Sequence, residues 1–413
     1  MTTDFSADEI RIDIPTDDDW DALIDCLMTA FNSSNTPEES AAERLCFEPE
    51  RSLVARRGND IVGTAGIYTR QLAIPGAVVP AAHVTLVSVA ATARRQGVLT
   101  RFMRRQFDDI RAAGEAIAVL WASEGRIYQR FGYGLAAVKL TVSAANREVR
   151  LNEKTPPGGT LRDAAPKDVR DILVKVFDQA YRERPGWSDR GEAQWDHRLA
   201  DIEAWRRGAG ALRATLHFGE DGPDGYALWR VSNHWNDTGP DGTVKIVELV
   251  AANPTAYTSL WRFLLAVDLT RTTEQWAVAV DEPLFNLVNE PRRLSAQLSD
   301  ALWLRLIDVP AALSARRYAH DVDVVFELTD ALIPANAGRW HLRGGPDEAS
   351  CEATSAPADL ACDVTTLART YLGRGGLAAL ATAGLVTELR PGTLVPASTA
   401  LTWHREPSAI EIF

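Results

Sequence analysis

A short basic loop is the part of this sequence best suited to bind an anion. It reads Arg94, Arg95, Gln96, Gly97, Val98, Leu99. Guanidinium groups donate forked hydrogen bonds to phosphate oxygens, and glycine lets backbone N–H groups approach a diphosphate closely. The loop therefore predicts a site for a phosphate-bearing ligand, provided that a helix begins directly after it.

The elements around the loop favour that arrangement. Segment 85–90 is strand-like, 98–113 has helical periodicity and 116–122 is an apolar run of strand length. Strand, loop, helix and strand in this order form a βαβ unit, whose ligand site lies at the carboxyl ends of its strands. Upstream, 52–56 and 61–70 predict antiparallel strands.

The remainder of the chain divides into two further units. A Pro/Gly-rich break at 152–160 ends the first unit. After it, a strand at 244–251, a helix at 256–269 and a strand at 275–280 repeat the strand–helix–strand order without the basic glycine loop. From Asp300 onward, alternating strand candidates and short helices indicate a third, α+β unit.

Composition and charge argue against several classes of protein. The net charge of -12 opposes binding to nucleic acid or to an anionic membrane. No run approaches the roughly 18 apolar residues of a membrane span, and the acidic N-terminus lacks the features of a secretory signal, so a cytoplasmic location is expected. The 4 cysteines form no CxxC pair, and we predict no metal site.

Two longer strings, 87–99 and 122–134, resemble the Eis (enhanced intracellular survival) family of the GNAT superfamily of N-acetyltransferases. The generic GNAT loop is Gln/Arg-x-x-Gly-x-Gly/Ala, and Leu99 departs from it at the last position. The resemblance extends over the whole chain. It implies an α+β protein with a catalytic GNAT domain (1–150), a degenerate GNAT-like domain (151–297) and a C-terminal domain similar to sterol carrier proteins (298–413), whose end reaches the catalytic site.

The resemblance also implies the ligands. Known members are multi-site aminoglycoside acetyltransferases, which connects the family with antibiotic resistance, and they are homohexamers. Acetyl-CoA would be the co-substrate, without a metal. The residues that the matching motifs assign to the cofactor are Val87, Ser88 and Val89 along the pantetheine arm, Arg95, Gln96, Gly97, Val98, Leu99 and Thr100 at the pyrophosphate, and Ser123 and Glu124 in the same channel.

Acetyl transfer to an amine also requires an acid for the departing thiolate and a base for the amine. Tyr128 follows the strand 116–122, and its phenol, with a reference pKa of about 10, is expected to be the general acid. Tyr133 is expected to be structural. By resemblance to the family, the C-terminal carboxylate of Phe413 would be the general base, and Glu411 would help to attract a cationic substrate.

Other residues are weaker candidates. His83 is a possible base by type, but we leave it outside the site. Phe31, Trp121 and Asp25 are candidates for shaping the amine pocket.

Three hypotheses follow. The first is an enzyme that acetylates polycationic small molecules such as aminoglycosides, with lysine side chains as another acceptor. The second is a non-catalytic ligand- or lipid-binding protein with a vestigial GNAT domain, and the intact set of Arg95, Gly97, Tyr128 and Phe413 argues against it. The third is a GNAT enzyme specific for one metabolite.

Overall fold

Three larger β-sheets, a two-stranded sheet of β11 and β12 and the helices packed on them make up the described parts of the protein, as seen in a computed structural model that describes residues 9–152 and 158–413. The strands are β1 (Ile10–Asp13), β2 (Leu53–Arg57), β3 (Asp60–Ile74), β4 (Ala77–Val89), β5 (Ile117–Trp121), β6 (Gly134–Leu135), β7 (Val138–Ala145), β8 (Thr160–Ala164), β9 (Arg213–Gly219), β10 (Gly222–Ser232), β11 (Trp235–Asn236), β12 (Gly239–Pro240), β13 (Gly242–Ala251), β14 (Thr270–Val278), β15 (Gln297–Asp300), β16 (Leu302–Leu306), β17 (Val322–Thr329), β18 (Gly338–Gly344), β19 (Ala349–Ala353), β20 (Leu360–Asp363) and β21 (Val386–Glu388). The α-helices are α1 (Trp20–Ala30), α2 (Pro37–Arg44), α3 (Val98–Ala112), α4 (Gly125–Gln129), α5 (Arg170–Ala180), α6 (Glu192–Arg198), α7 (Glu203–Arg206), α8 (Pro254–Leu265), α9 (Leu284–Leu287), α10 (Val309–Ala315), α11 (Val364–Thr370), α12 (Leu377–Thr382) and α13 (Leu394–Leu401).

The first sheet has the order β1-β2-β3-β4-β5-β16-β6. Its strands β1 to β4 are antiparallel neighbours, as the sequence predicts for β2 and β3. β4 and β5 are parallel, and α3 connects them, which is the predicted βαβ unit. The amphipathic α3 buries Phe102, Met103 and Phe107 against this sheet.

The second sheet has the order β15-β7-β14-β13-β10-β9-β8 and repeats the parallel pair, here β13 and β14 connected by α8. The helix predicted at 256–269 runs from Pro254 to Leu265. It starts earlier than predicted because Asn253 caps it and Pro254 occupies its first position, and it ends earlier because the chain leaves the helix at Ala266. The following strand begins at Thr270 rather than at 275. Its first residues are mostly threonines, which are β-branched but polar and so hide the apolar signal of a strand.

Two strands connect the sheets across the predicted domain limits. β7, from the predicted first domain, pairs with β14 and β15 in the second sheet. β16, from the predicted third domain, lies between β5 and β6 in the first sheet. The division into 1–150, 151–297 and 298–413 therefore stays a prediction about the units of the chain, and β7 and β16 cross it.

The third sheet, in the order β19-β18-β17-β20-β21, carries α10 to α13. One hydrophobic core cluster joins it to the first sheet. That cluster holds Leu72 of β3 and Val119 of β5 together with Phe326 of β17 and Leu401 of α13. The C-terminal part of the chain is thus packed into the same core as the βαβ unit.

Candidate active site

A cavity of about 700 Å³ lies where the first and second sheets and the C-terminal segment meet. Its walls come from α1, from the ends of β4 and β5, from α4, and from β14 of the second sheet. Four of the residues predicted to bind the cofactor or to take part in the chemistry line these walls, namely Val87, Ser123, Tyr128 and Phe413. The cavity therefore brings together residues that are distant in the sequence.

The strands β4 and β5 separate at this cavity. Their pairing covers only Ala82 with Ala118 and His83 with Val119, so the end of β4 has no partner on that edge in β5. A bulge at Leu86, whose φ is 52°, twists β4 at the same place. Ser88 and Val89 keep their pairing with β3 on one edge, and the other edge of 87–89 is open to a ligand with amide groups.

The side chain of Ser88 points into the protein interior. Its hydroxyl lies 2.8 Å from Oγ1 of Thr64 in the protein interior, and the residue is buried. The predicted contact of Ser88 with a cofactor is therefore restricted to main-chain groups.

The basic loop lies just beyond β4 and leads directly into α3. Arg95 and Gly97 have left-handed φ values of 64° and 75°, and no side chain caps the first turn of α3. Gln96 is held in place, since Arg57 Nη2 donates to its Oε1 over 3.1 Å and its Nε2 donates to the Thr92 carbonyl over 3.0 Å. Uncapped N–H groups at a helix N-terminus flanked by arginines fit the diphosphate of coenzyme A.

The start of α8 is the counterpart of this loop in the second sheet, and its N-terminus is capped. At the start of α8 the Asn253 side chain accepts from the Ala256 N–H over 2.9 Å, and Pro254 has no N–H. Both residues reduce the number of free N–H donors that this helix N-terminus can offer to an anion.

The two predicted channel residues after β5 are exposed. Ser123 lies on the cavity wall. Glu124 precedes α4, and its carboxylate forms an ion pair with Arg126 over 2.9 Å.

Tyr128 projects from α4 into the cavity and is 6% exposed. Burial raises its pKa to about 12, so the hydroxyl stays protonated at neutral pH and can donate a proton or a hydrogen bond. The ring of Tyr133 packs against it, with centroids 5.9 Å apart. The Tyr133 hydroxyl is buried and has no hydrogen-bond partner among the described residues, which suits a packing role.

The terminal residue Phe413 lies half-buried on the cavity wall. Its ring packs edge-to-face with the His83 ring, and the two ring centroids are 4.5 Å apart. His83 is fully buried and donates from Nδ1 to the Ala81 carbonyl over 2.9 Å. Burial, with the nearby Arg70 charge, lowers its pKa to about 3, so His83 is neutral and accepts from the Ser188 hydroxyl. His83 supports the terminal ring rather than facing the cavity as a base.

Glu411 anchors the C-terminal segment by its side chain. Its carboxylate receives Arg70 Nη1 at 2.7 Å and Arg190 Nε at 2.8 Å, and both arginines are buried. Burial raises the pKa of Glu411, but Arg190 and Arg70 lower it more strongly, so the net pKa lies far below its usual range. Its charge is compensated within the protein instead of attracting a cationic substrate, contrary to the expectation from the sequence.

Two tryptophans form a further part of the cavity wall. Trp121 and Trp276 stack with centroids 5.3 Å apart, and Lys139 Nζ lies 4.0 Å from the Trp276 ring centre. Trp121 and Phe31 were candidates from the sequence, and both line the cavity, whereas Asp25 is exposed on α1. Trp276 was missed because no local pattern connects β14 with β5.

Comparisons with known proteins give the same architecture. Residues 11–136 and 186–306 each match an acetyltransferase (GNAT) domain family, and residues 309–409 match a sterol carrier protein domain family. An uncharacterized N-acetyltransferase of Streptomyces avermitilis is 42% identical over 97% of both chains. The N-acetyltransferase Eis of Mycobacterium bovis is 33% identical over 89% of this chain and 91% of its own. The crystal structure of Eis1 from Mycobacterium abscessus superposes with a TM-score of 0.85 at 30% identity, covering 98% of this chain and 100% of that chain.

These matches confirm the predicted α+β fold of two GNAT domains followed by a sterol carrier protein-like domain. They also confirm the prediction of an N-acetyltransferase, and the GNAT fold implies the use of acetyl-CoA. In the part of the chain that the structure describes, no helix has the length and apolar character needed to cross a membrane.

Gly97 offers a direct test of the loop. Gly97→Val places a branched side chain where N–H groups must approach a diphosphate, so we expect the Michaelis constant for acetyl-CoA to rise roughly tenfold or more. Gly114→Val is the matched control, because Gly114 follows the other end of α3 with φ 77°, against 75° for Gly97, and both positions have open space. Equal Michaelis constants for the two folded variants would exclude Gly97 from the cofactor site.

Proposed function

The chain belongs to the Eis family of GNAT N-acetyltransferases, and we propose that it transfers the acetyl group of acetyl-CoA directly to a primary amine of a polycationic, aminoglycoside-like molecule. Lysine side chains are a second acceptor class in this proposal, and the homohexamer of the family is its assembly. The observation that carries the proposal is that Tyr128 and the chain terminus at Phe413 line one cavity together with Val87 at the end of β4.

Binding of the cofactor falls to three groups of residues in this proposal. The uncapped turn 95–100 would hold the diphosphate, the free edge of 87–89 would pair with the pantetheine amides, and Ser123 and Glu124 would border the channel. The cofactor supplies an acetyl thioester, which an amine can attack.

Tyr128 would act as the general acid. Its raised pKa keeps the phenol protonated, which is the form needed to donate to the thiolate sulfur as it departs. Packing against Tyr133 restricts the ring, so the hydroxyl is held toward the cavity rather than sampling other rotamers.

The carboxylate of Phe413 would act as the general base for the attacking amine. An α-carboxylate has a reference pKa of only about 3.3 to 3.7, so it becomes a more effective base where exclusion of water raises that pKa. The packing of Phe413 on His83 and the anchoring of Glu411 by two arginines support a fixed position for this terminus.

The acceptor cavity suits a cationic amine with more than one polar group. The Trp121 ring can receive a cationic group on its face, and Glu43 and Asp300 add carboxylates to the wall. Lys139 also lines this cavity, and burial lowers its pKa. Its ammonium group therefore loses its proton more readily, which weakens its repulsion of a cationic acceptor.

A substrate panel tests the acceptor class. Coenzyme A release should be measured with aminoglycosides, linear polyamines, lysine peptides and, as the control, simple monoamines of similar length. We expect kcat/KM for the polycationic amines to exceed that for monoamines by roughly tenfold or more, because a second charge finds carboxylate or aromatic partners. Equal kcat/KM values for monoamines and polyamines would contradict a polycationic acceptor.

Tyr128→Phe tests the acid. The variant keeps the ring and its packing but has no proton to donate, so kcat should fall by roughly 10² to 10⁴ with little change in the Michaelis constant for acetyl-CoA. Tyr133→Phe is the matched control, and it should keep the parental kcat because its hydroxyl has no partner among the described residues. A Tyr128→Phe enzyme within a few-fold of the parental kcat would remove Tyr128 from the chemistry.

The terminal carboxylate is tested by adding one glycine after Phe413. This moves the carboxylate by up to roughly 3.5 Å while leaving the Phe413 side chain in the protein. We expect kcat to fall by roughly 10² or more, since base catalysis depends on hydrogen-bond distance, while the affinity for coenzyme A stays unchanged. Full activity of the extended chain would show that the carboxylate is not the base.

A further inference from the structure

A second cavity, of about 480 Å³, lies in the second sheet between β13 and β14. These strands are parallel and separate after the pair Ile246 and Gln275. Residues 249–251 and 277–279 then line the cavity, in the arrangement that β4 and β5 have at the first cavity. Alternate residues of a strand direct their N–H and C=O to one edge, so main-chain groups on these edges face the opening.

A buried acceptor lies where the strands part. Gln275 is 9% exposed and lines the cavity, and its Oε1 has no hydrogen-bond partner among the residues that the structure describes. A buried amide oxygen without a donor costs about 1 to 3 kcal/mol, so a ligand N–H would relieve this cost.

A second acceptor lies on the same cavity. Glu282 is half-buried and accepts a hydrogen bond from the Tyr257 hydroxyl, and both residues line the opening. Burial raises the pKa of Glu282 to about 7, which a bound cation would lower again. The cavity wall carries two carboxylates, Glu183 and Glu282, and two guanidinium groups, Arg184 and Arg405, and Arg184 is paired with Asp281 over 2.6 Å.

The start of α8 does not offer this cavity a phosphate cradle like that of the first sheet. The Asn253 side chain accepts from the Ala256 N–H and Pro254 has no N–H, so the first turn of α8 has fewer free donors than the first turn of α3. The cavity thus keeps the strand edges of a GNAT cofactor channel but has hydrogen-bond acceptors in place of the phosphate cradle.

We propose that the cavity between β13 and β14 is a second ligand site, which binds a small primary ammonium ion carrying an amide group. The ammonium donates to Gln275 Oε1 and the Glu282 carboxylate, and the amide pairs with the free strand edges. This site is separate from acetyl transfer and holds whether or not the acceptor proposed above is correct.

The probe is N-acetylputrescine, which carries one amide and one primary amine. Calorimetric titration of the full-length protein should show a binding event whose Kd rises roughly tenfold or more in Gln275→Leu, because leucine fills the volume without an acceptor. Glu282→Gln removes the charge and should weaken the same event.

Two controls isolate the second cavity. Gln297→Leu makes the same chemical change at an exposed position of the same sheet, and Tyr128→Phe alters the first cavity, so neither should change this event. The melting temperature of Gln275→Leu should equal or exceed that of the parent, since the lost oxygen has no partner among the described residues, and its affinity for coenzyme A should be unchanged. Absence of binding to the parent, or identical titrations of the parent and folded Gln275→Leu, would overturn the proposal.

Discussion

The arrangement of this protein depends on a buried network of charges around Glu411. Arg70 of the first sheet and Arg190 of the second unit both bind the Glu411 carboxylate, and Arg190 also binds Glu248 of β13. Removing one partner from such a network costs about 3 to 5 kcal/mol, because the remaining charges stay buried without compensation. The network therefore fastens the C-terminal segment to two sheets at once, two residues before the chain ends.

This fastening explains why three units form one site. The third unit shares a hydrophobic core with β3 and β5, and its strand β16 pairs with β5 in the first sheet. Strand β7 of the first unit pairs with β14 in the second sheet. The last residues then run between the two cavities, with Ser408 and Ile410 on the wall of one and Phe413 on the wall of the other. Trp187 donates to Ser408 over 3.0 Å and so fixes the middle of this segment.

The two parallel strand pairs show how one geometry is suited to different ligands. In both sheets the strands separate and expose main-chain groups. In the first sheet the next turn has two left-handed residues and an uncapped helix, whereas in the second an asparagine cap and a proline occupy the same position. A few residues at the start of a helix thus decide whether an anion can bind.

The sequence alone determined the local features of this protein. The loop around Gly97, the strands and helix on either side of it, and the position of Tyr128 after β5 were all predictable, because helix starts, glycine turns and apolar periodicity are encoded by neighbouring residues. The resemblance to a family extended these signals to the whole chain, including the three units.

Only the tertiary structure decided which distant residues meet. Trp276 faces Trp121, two arginines neutralise Glu411, and the Gln275 oxygen is left without a partner among the described residues, none of which has a local signature. The sequence also did not show that β7 joins the second sheet and that β16 joins the first. The physical reason is that hydrogen-bond partners, burial and the availability of a charge are set by long-range contacts, whereas a short sequence pattern reports only the conformation of its own residues.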